Sequence, residues 1–180
     1  MSKNIFTKNY SIFQQFAYNT IQFNNKLLII MFEEKIVDGI LYLIHVFDQT
    51  ASVSEALACD QELVIPDTVV YKNESYPVTE IDRGVFCERE IESVVIPNSV
   101  TFIGKEAFAE CYMLSTVVLH SSVTCINSYA FANCESLTEI TFNGTIEQWK
   151  NIDLVDSWNY NNPAITVHCS DGDIKIEKGW

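Results

Sequence analysis

The stretch IESVVIPNSVTFIGKEAFAEC, residues 91–111, returns at residues 114–134 as LSTVVLHSSVTCINSYAFANC, every position shifted by 23. The match holds residue by residue. Ile91 aligns with Leu114 and Leu137, Val94 with Val117 and Ile140, and Ile96 with Leu119 and Phe142. Val100 and Val123, Ile103 and Ile126, Ala107 and Ala130, Phe108 and Phe131, and Cys111 and Cys134 complete the register. A unit this short cannot bury its own apolar side chains. A fixed period in this range therefore predicts a repeat solenoid, in which each coil covers the apolar face of the next.

Alternation within the unit predicts the parts of a coil. Apolar residues at every second place in VVI read as a strand, VTFI and VTCI as a second, shorter strand, and KEAFAEC or SYAFANC as one short helical or 3₁₀ turn. Asp82, Gly104 and Asn127 follow that second strand and share a tolerance of left-handed backbone, so a sharp turn is expected there. The expected core is Val94, Ile96, Val100, Ile103, Phe108, Val117, Leu119, Val123, Ile126 and Phe131. An earlier, degenerate coil is marked by VIP at 64–66 and VTEI at 78–81, echoing VIP at 95–97 and VTFI at 100–103. The two echoes are offset by 31 and 22, so about nine residues are inserted between them, expected as a hairpin with Lys72 to Ser75 at its tip.

The combined pattern L-x-x-[VI]-x-[IL]-P-x-S-V-T-x-I-x-x-x-A-F-x-x-C resembles the leucine-rich repeats of the BspA type, also described from treponemal surface proteins. The resemblance implies a leucine-rich-repeat-like right-handed coil, β-rich, without catalytic residues in the repeat. It also implies a binding module for a protein or glycan ligand, adhesin-like at a cell surface or secreted, with a host surface as one source of the ligand. A structural or assembly scaffold without a specific ligand is the alternative. The chain departs from the pattern at His120, which stands where Pro97 does, and it lacks an evident secretion signal.

The division expected from these marks is an N-terminal extension over 1–30, an N-terminal β cap over 31–61, about three coils over 62–142 and a C-terminal cap over 143–180. Residues 1–30 carry no repeat register. They read either as an extension ahead of a start at Met31 or as an amphipathic helix built on Ile12, Phe13, Phe16 and Ile21. In the C-terminal cap, Thr145 and Gln148 have capping-box spacing and open a short helix through IEQWKNI, whose Ile146 and Trp149 cover the last coil together with Trp158. AITVHC and DIKIEK then form a hairpin about Asp171-Gly172.

Charge narrows the choice of partners. Eleven Lys and Arg stand against 24 Asp and Glu, a net charge of -13, which repels phosphate backbones and anionic bilayers. No run approaches the ~18 apolar residues of a membrane span, so neither nucleic acid nor membrane insertion is expected. The six cysteines contain no C-x-x-C pair, and no histidine has a second ligand at metal spacing, so no metal or cofactor is expected. Cys111 and Cys134 hold equivalent places in adjacent coils and are expected as free thiols. Phosphate-loop, nucleophile-elbow and metalloprotease motifs are absent, so no catalytic residue is assigned and no enzyme is expected. The candidate binding residues are those between the inward leucine, valine and isoleucine of each strand: Ser93 and Val95, Thr116 and Val118, Glu139 and Thr141.

Overall fold

The computed structural model describes residues 32–178; the reading of residues 1–30 lies outside them. Fourteen strands and one helix are described: β1 (Glu33–Val37), β2 (Ile40–His45), β3 (Thr50–Ala56), β4 (Glu62–Val64), β5 (Thr68–Tyr71), β6 (Glu74–Ile81), β7 (Ser93–Val95), β8 (Phe102–Ile103), β9 (Thr116–His120), β10 (Cys125–Ile126), β11 (Glu139–Asn143), α1 (Ile146–Lys150), β12 (Asp153–Leu154), β13 (Ile165–Cys169) and β14 (Gly172–Ile176). They make two sheets. One runs β1-β2-β3-β6-β8-β10-β12, with β5 hairpinned onto β6; the other runs β14-β13-β11-β9-β7-β4.

From β6 to β13 each successive strand falls in the other sheet, and each sheet gains one parallel strand per repeat. Parallel pairing without helical crossovers is what a 23-residue unit permits, because the chain returns to each sheet only after visiting its neighbour. The stacking is in register, so like residues meet. Leu63, Val94, Val117, Ile140 and Val167 form one inward row, and Val53, Ile81, Ile103, Ile126 and Leu154 another. All ten residues expected in the core are buried. Each fully buried aliphatic or phenyl side chain contributes roughly 1.5–3 kcal/mol by its removal from water.

The segments after the short strands differ from the sequence-based expectation. No helical or 3₁₀ turn forms at KEAFAEC or SYAFANC; four irregular turn segments, 82–89, 104–111, 127–134 and 155–162, stand there instead. Their left-handed residues are not Asp82, Gly104 and Asn127 but the third and seventh of each segment: Gly84 and Glu88, Glu106 and Glu110, Tyr129 and Asn133, Ser157 and Asn161. The physical reason is hydrogen bonding between layers. In a helical turn the N–H groups would be used within the turn. Here Glu106, Phe108 and Glu110 donate theirs to the carbonyls of Ser128, Ala130 and Ala132, as Gly84, Phe86 and Glu88 do to Lys105, Ala107 and Ala109. Reversal of the backbone at the third and seventh places aims these alternate N–H groups along the stack. Gly104 answers a different need: a Cβ there would lie 2.6 Å from the carbonyl oxygen of Ile81.

The eighth residue of each turn segment donates in the opposite direction. Arg89 reaches the carbonyl of Ala56 at 2.6 Å, the Cys111 thiol that of Phe86 at 3.0 Å, the Cys134 thiol that of Phe108 at 3.1 Å, and the Asn162 amide that of Phe131 at 2.8 Å. Between them run the aromatic side chains. Phe86, Phe108 and Phe131 stack face to face with centroids 5.0 and 5.2 Å apart, close to the ~4.8 Å between strands. Trp158 ends the column edge-on at 6.2 Å.

The two ends are built differently. β1, β2 and β3 form an antiparallel meander, and β3 passes into the parallel stack beside β6 with a register shift at Ala51/Ser52. The inserted hairpin turns at Lys72 and Asn73, both left-handed, as a two-residue β-hairpin turn requires. At the far end the Thr145–Gln148 capping box opens α1, and Trp149 packs edge-on against Phe142 and Trp158. β13 and β14 then close the second sheet antiparallel.

Candidate functional site

The outward face of the six-stranded sheet presents two rows of side chains fixed by strand register. Ser93, Thr116 and Glu139 lie side by side in one, and Val95, Val118 and Thr141 in the other. All six candidate residues are therefore brought onto one face, exposed or half-buried, while Val94, Val117 and Ile140 between them are buried. Alternation of side chains along a strand is the cause.

The rows are longer than the sequence reading made them. Glu62 and Val64 extend them on β4, Thr166 and His168 on β13, and Lys175 and Asp173 on β14. Val64 is 66% exposed. The VIP echo at 64–66 was the signal for the first pair; the hairpin carried none for the others, because its register follows from pairing. Glu62, Ser93, Thr116, Glu139, Thr166 and Lys175 thus form a polar row, and Val64, Val95 and Val118 an apolar stripe that passes into Thr141 and the His168–Asp173 pair at 3.0 Å. His120, in the place of Pro97, is the last residue of β9 and lies beside Asn143.

Outside this face the titratable groups read as structural. Burial pushes the Cys111 thiol up to about 12 and raises that of Cys134 as well, so both remain protonated donors. All six cysteines are free. Near the meander, Ser52 Oγ donates to Asp82 at 3.3 Å and lies 3.2 Å from His45 Nε2, and burial raises the Asp82 carboxyl. The order of these bonds places serine between histidine and aspartate, whereas an activated serine needs histidine in the middle. Ser52 is also only 2% exposed. On β1, Tyr71 and Lys72 bond Glu33 at 2.6 and 2.9 Å and hold its carboxyl below the usual range. Among the described residues no group of three or more His, Cys, Asp and Glu is placed to hold a metal ion, and no helix is long and apolar enough to cross a membrane.

Comparison with known proteins bears on the same residues. The model of the BspA type leucine rich repeat region matches residues 75–162 in six copies. The crystal structure of a leucine-rich repeat protein from Bacteroides capillosus is similar at 32% identity and a TM-score of 0.59, over 76% of this chain and 98% of that one. That of the Treponema pallidum leucine-rich repeat protein is similar in fold at 22% identity and a TM-score of 0.53, over 64% of this chain and 56% of that one. No curated protein matches the chain in sequence. With its stacked in-register strands, its column of phenyl rings and these likenesses together, the chain belongs to the BspA-type leucine-rich repeat family.

Proposed function

We propose that this chain is a non-catalytic interaction module, wound as a right-handed solenoid, that binds a protein partner through the outward face of its six-stranded sheet. In this reading the meander and the C-terminal hairpin act as caps, and the module serves an adhesin-like role at a cell surface, as its family resemblance suggests. The observation that carries the reading is the aligned stripe of Val64, Val95 and Val118 on a face otherwise polar. A purely solvated face has no need of an apolar stripe beside a polar row, whereas interfaces combine an apolar centre with a polar rim. The two rows hold no Phe, Tyr or Trp, which favours an aliphatic protein surface over a sugar ring. The face is small, so one copy binds weakly and several acting together bind well.

An unbiased interaction screen comparing the native chain with a Val95→Lys, Val118→Lys double variant tests the site. The variant is expected to keep its circular dichroism and lose its partners. If it stays folded and keeps every partner, the stripe is not the binding surface.

A further inference from the structure

A different surface carries chemistry that the sheet face lacks. Tyr129 takes the third place of its turn segment at a φ of 58°, where the other segments have Gly84, Glu106 and Ser157. A bulky aromatic in left-handed backbone is uncommon, and such strain gathers where a side chain must be presented in a set way. Tyr129 is 38% exposed, and Tyr160 of the next segment, 42% exposed, stands edge-on to it at 5.9 Å. Lys105 Nζ lies 6.0 Å from the Tyr129 ring centre.

A planar polar group follows the second ring in the chain. Asn161 follows Tyr160 and is also left-handed; its amide donates to Asn133 Oδ1 at 3.0 Å, which leaves its own Oδ1 to accept from a ligand. Asn161 further lines an open hollow of about 410 Å³ with Glu135, Pro163 and Lys178. Exposed phenol rings, with an amide next in the chain that also lines a hollow, match a pyranose, whose C–H face packs on an aromatic ring while its hydroxyls bond planar polar groups. The net charge of -13 repels anionic sugars and leaves neutral ones.

We infer that the ridge of Tyr129, Tyr160 and Asn161 is a second binding site, separate from the sheet face, that takes a neutral oligosaccharide. The probes are cellohexaose, laminarihexaose, maltohexaose and chitohexaose, followed by saturation-transfer NMR and titration calorimetry on the whole chain. At least one should bind. Its affinity should fall tenfold or more in Tyr160→Ala and in Asn161→Gly, a substitution that the left-handed backbone accommodates. Tyr160→Phe, which keeps the ring, should retain most of the binding, and the Val95→Lys, Val118→Lys variant should bind like the parent, which separates this site from the sheet-face reading. The inference is overturned if the parent binds none of the four at millimolar sugar, or if folded Tyr160→Ala or Asn161→Gly binds as the parent does. It is equally overturned if Tyr160→Ala removes a protein partner while leaving sugar binding unchanged.

Discussion

The stacked repeats and the N-terminal meander belong to one continuous sheet, yet they are held together by different means. Between β6 and β12 every layer repeats one solution: an inward aliphatic row, a phenyl ring on the column, N–H groups donated forward and one side-chain donor reaching back. The meander has no such repetition. Its strands run antiparallel with a register shift at Leu41/Tyr42, and β3 joins the stack with a second shift at Ala51/Ser52; the junction is closed by a connection found once, Ser52 to Asp82, and by Arg89, whose long side chain fills the backward-donor place that a thiol fills in the next two layers and reaches the carbonyl of Ala56. Like layers can share one set of contacts, because a residue that fits the layer below also fits the layer above. Where unlike elements meet, each buried polar group needs its own partner.

The sharpest probe of this contrast is Phe108→Ala. Its ring stands between two parallel rings, so the space it leaves is walled on both sides and collapses poorly; about 3–5 kcal/mol should be lost. Phe142→Ala, where Trp149 of α1 is the one aromatic neighbour, should cost less. Urea midpoints measure both, and equal losses would break the distinction between column and cap.

The backward donors come next. Cys134→Ala should cost about 2 kcal/mol, since it empties a buried site and removes the thiol bond to Phe108. Burial of these thiols sets a pH dependence. The folded Cys111 and Cys134 thiols have raised pKa values, so their contribution is full below the ordinary thiol pKa of 9.0 and is lost as the pH rises toward 12. Urea midpoints taken at about pH 8 and about pH 11 should therefore fall more steeply in the parent than in a Cys111→Ala, Cys134→Ala double variant. Equal slopes would mean that the thiols contribute nothing through their protons.

Thr145→Ala removes one half of the α1 capping box and should lower stability by about 1 kcal/mol. Thermal melting followed by tryptophan fluorescence reports it, because Trp149 lies on that helix. A loss as large as that of Phe108→Ala would show that the C-terminal helix, rather than the column, limits the fold.

The smallest effects test the backbone alone. Gly84 sits at a φ of 66° with open space where a Cβ would go, so Gly84→Ala should cost about 1 kcal/mol through conformation only. Glu88→Gly, at a φ of 60°, should move stability the other way by somewhat less than 1 kcal/mol. Calorimetric melting of the two variants checks the opposed signs.

The parts of the molecule readable in the chain were those that depend on like meeting like. Spacing alone placed the ten core residues, the inserted hairpin, the capping box and the six outward positions on β7, β9 and β11, because alternation and period are properties of a strand and a repeat. The fourth turn segment is not legible in the repeat pattern, since Asn159 and Asn162 hold the places of Phe and Cys and the helix stretches the interval from Asn133 to Asn161 to 28 residues. The expected helical turn in KEAFAEC was a reasonable local reading. It failed because every second N–H group of the segment bonds the next layer instead of its own turn, a choice that no segment contains by itself.

The sequence thus determined by itself the period, the apolar and polar faces of each strand and the family, all set by side-chain chemistry at fixed spacing. Tertiary structure alone decided which backbone groups pair across layers, where the chain turns left-handed, and how far the outward rows run onto β4, β13 and β14. It alone brought Tyr129 against Tyr160. Those outcomes depend on which layer lies beside which, and only stacking supplies that neighbour.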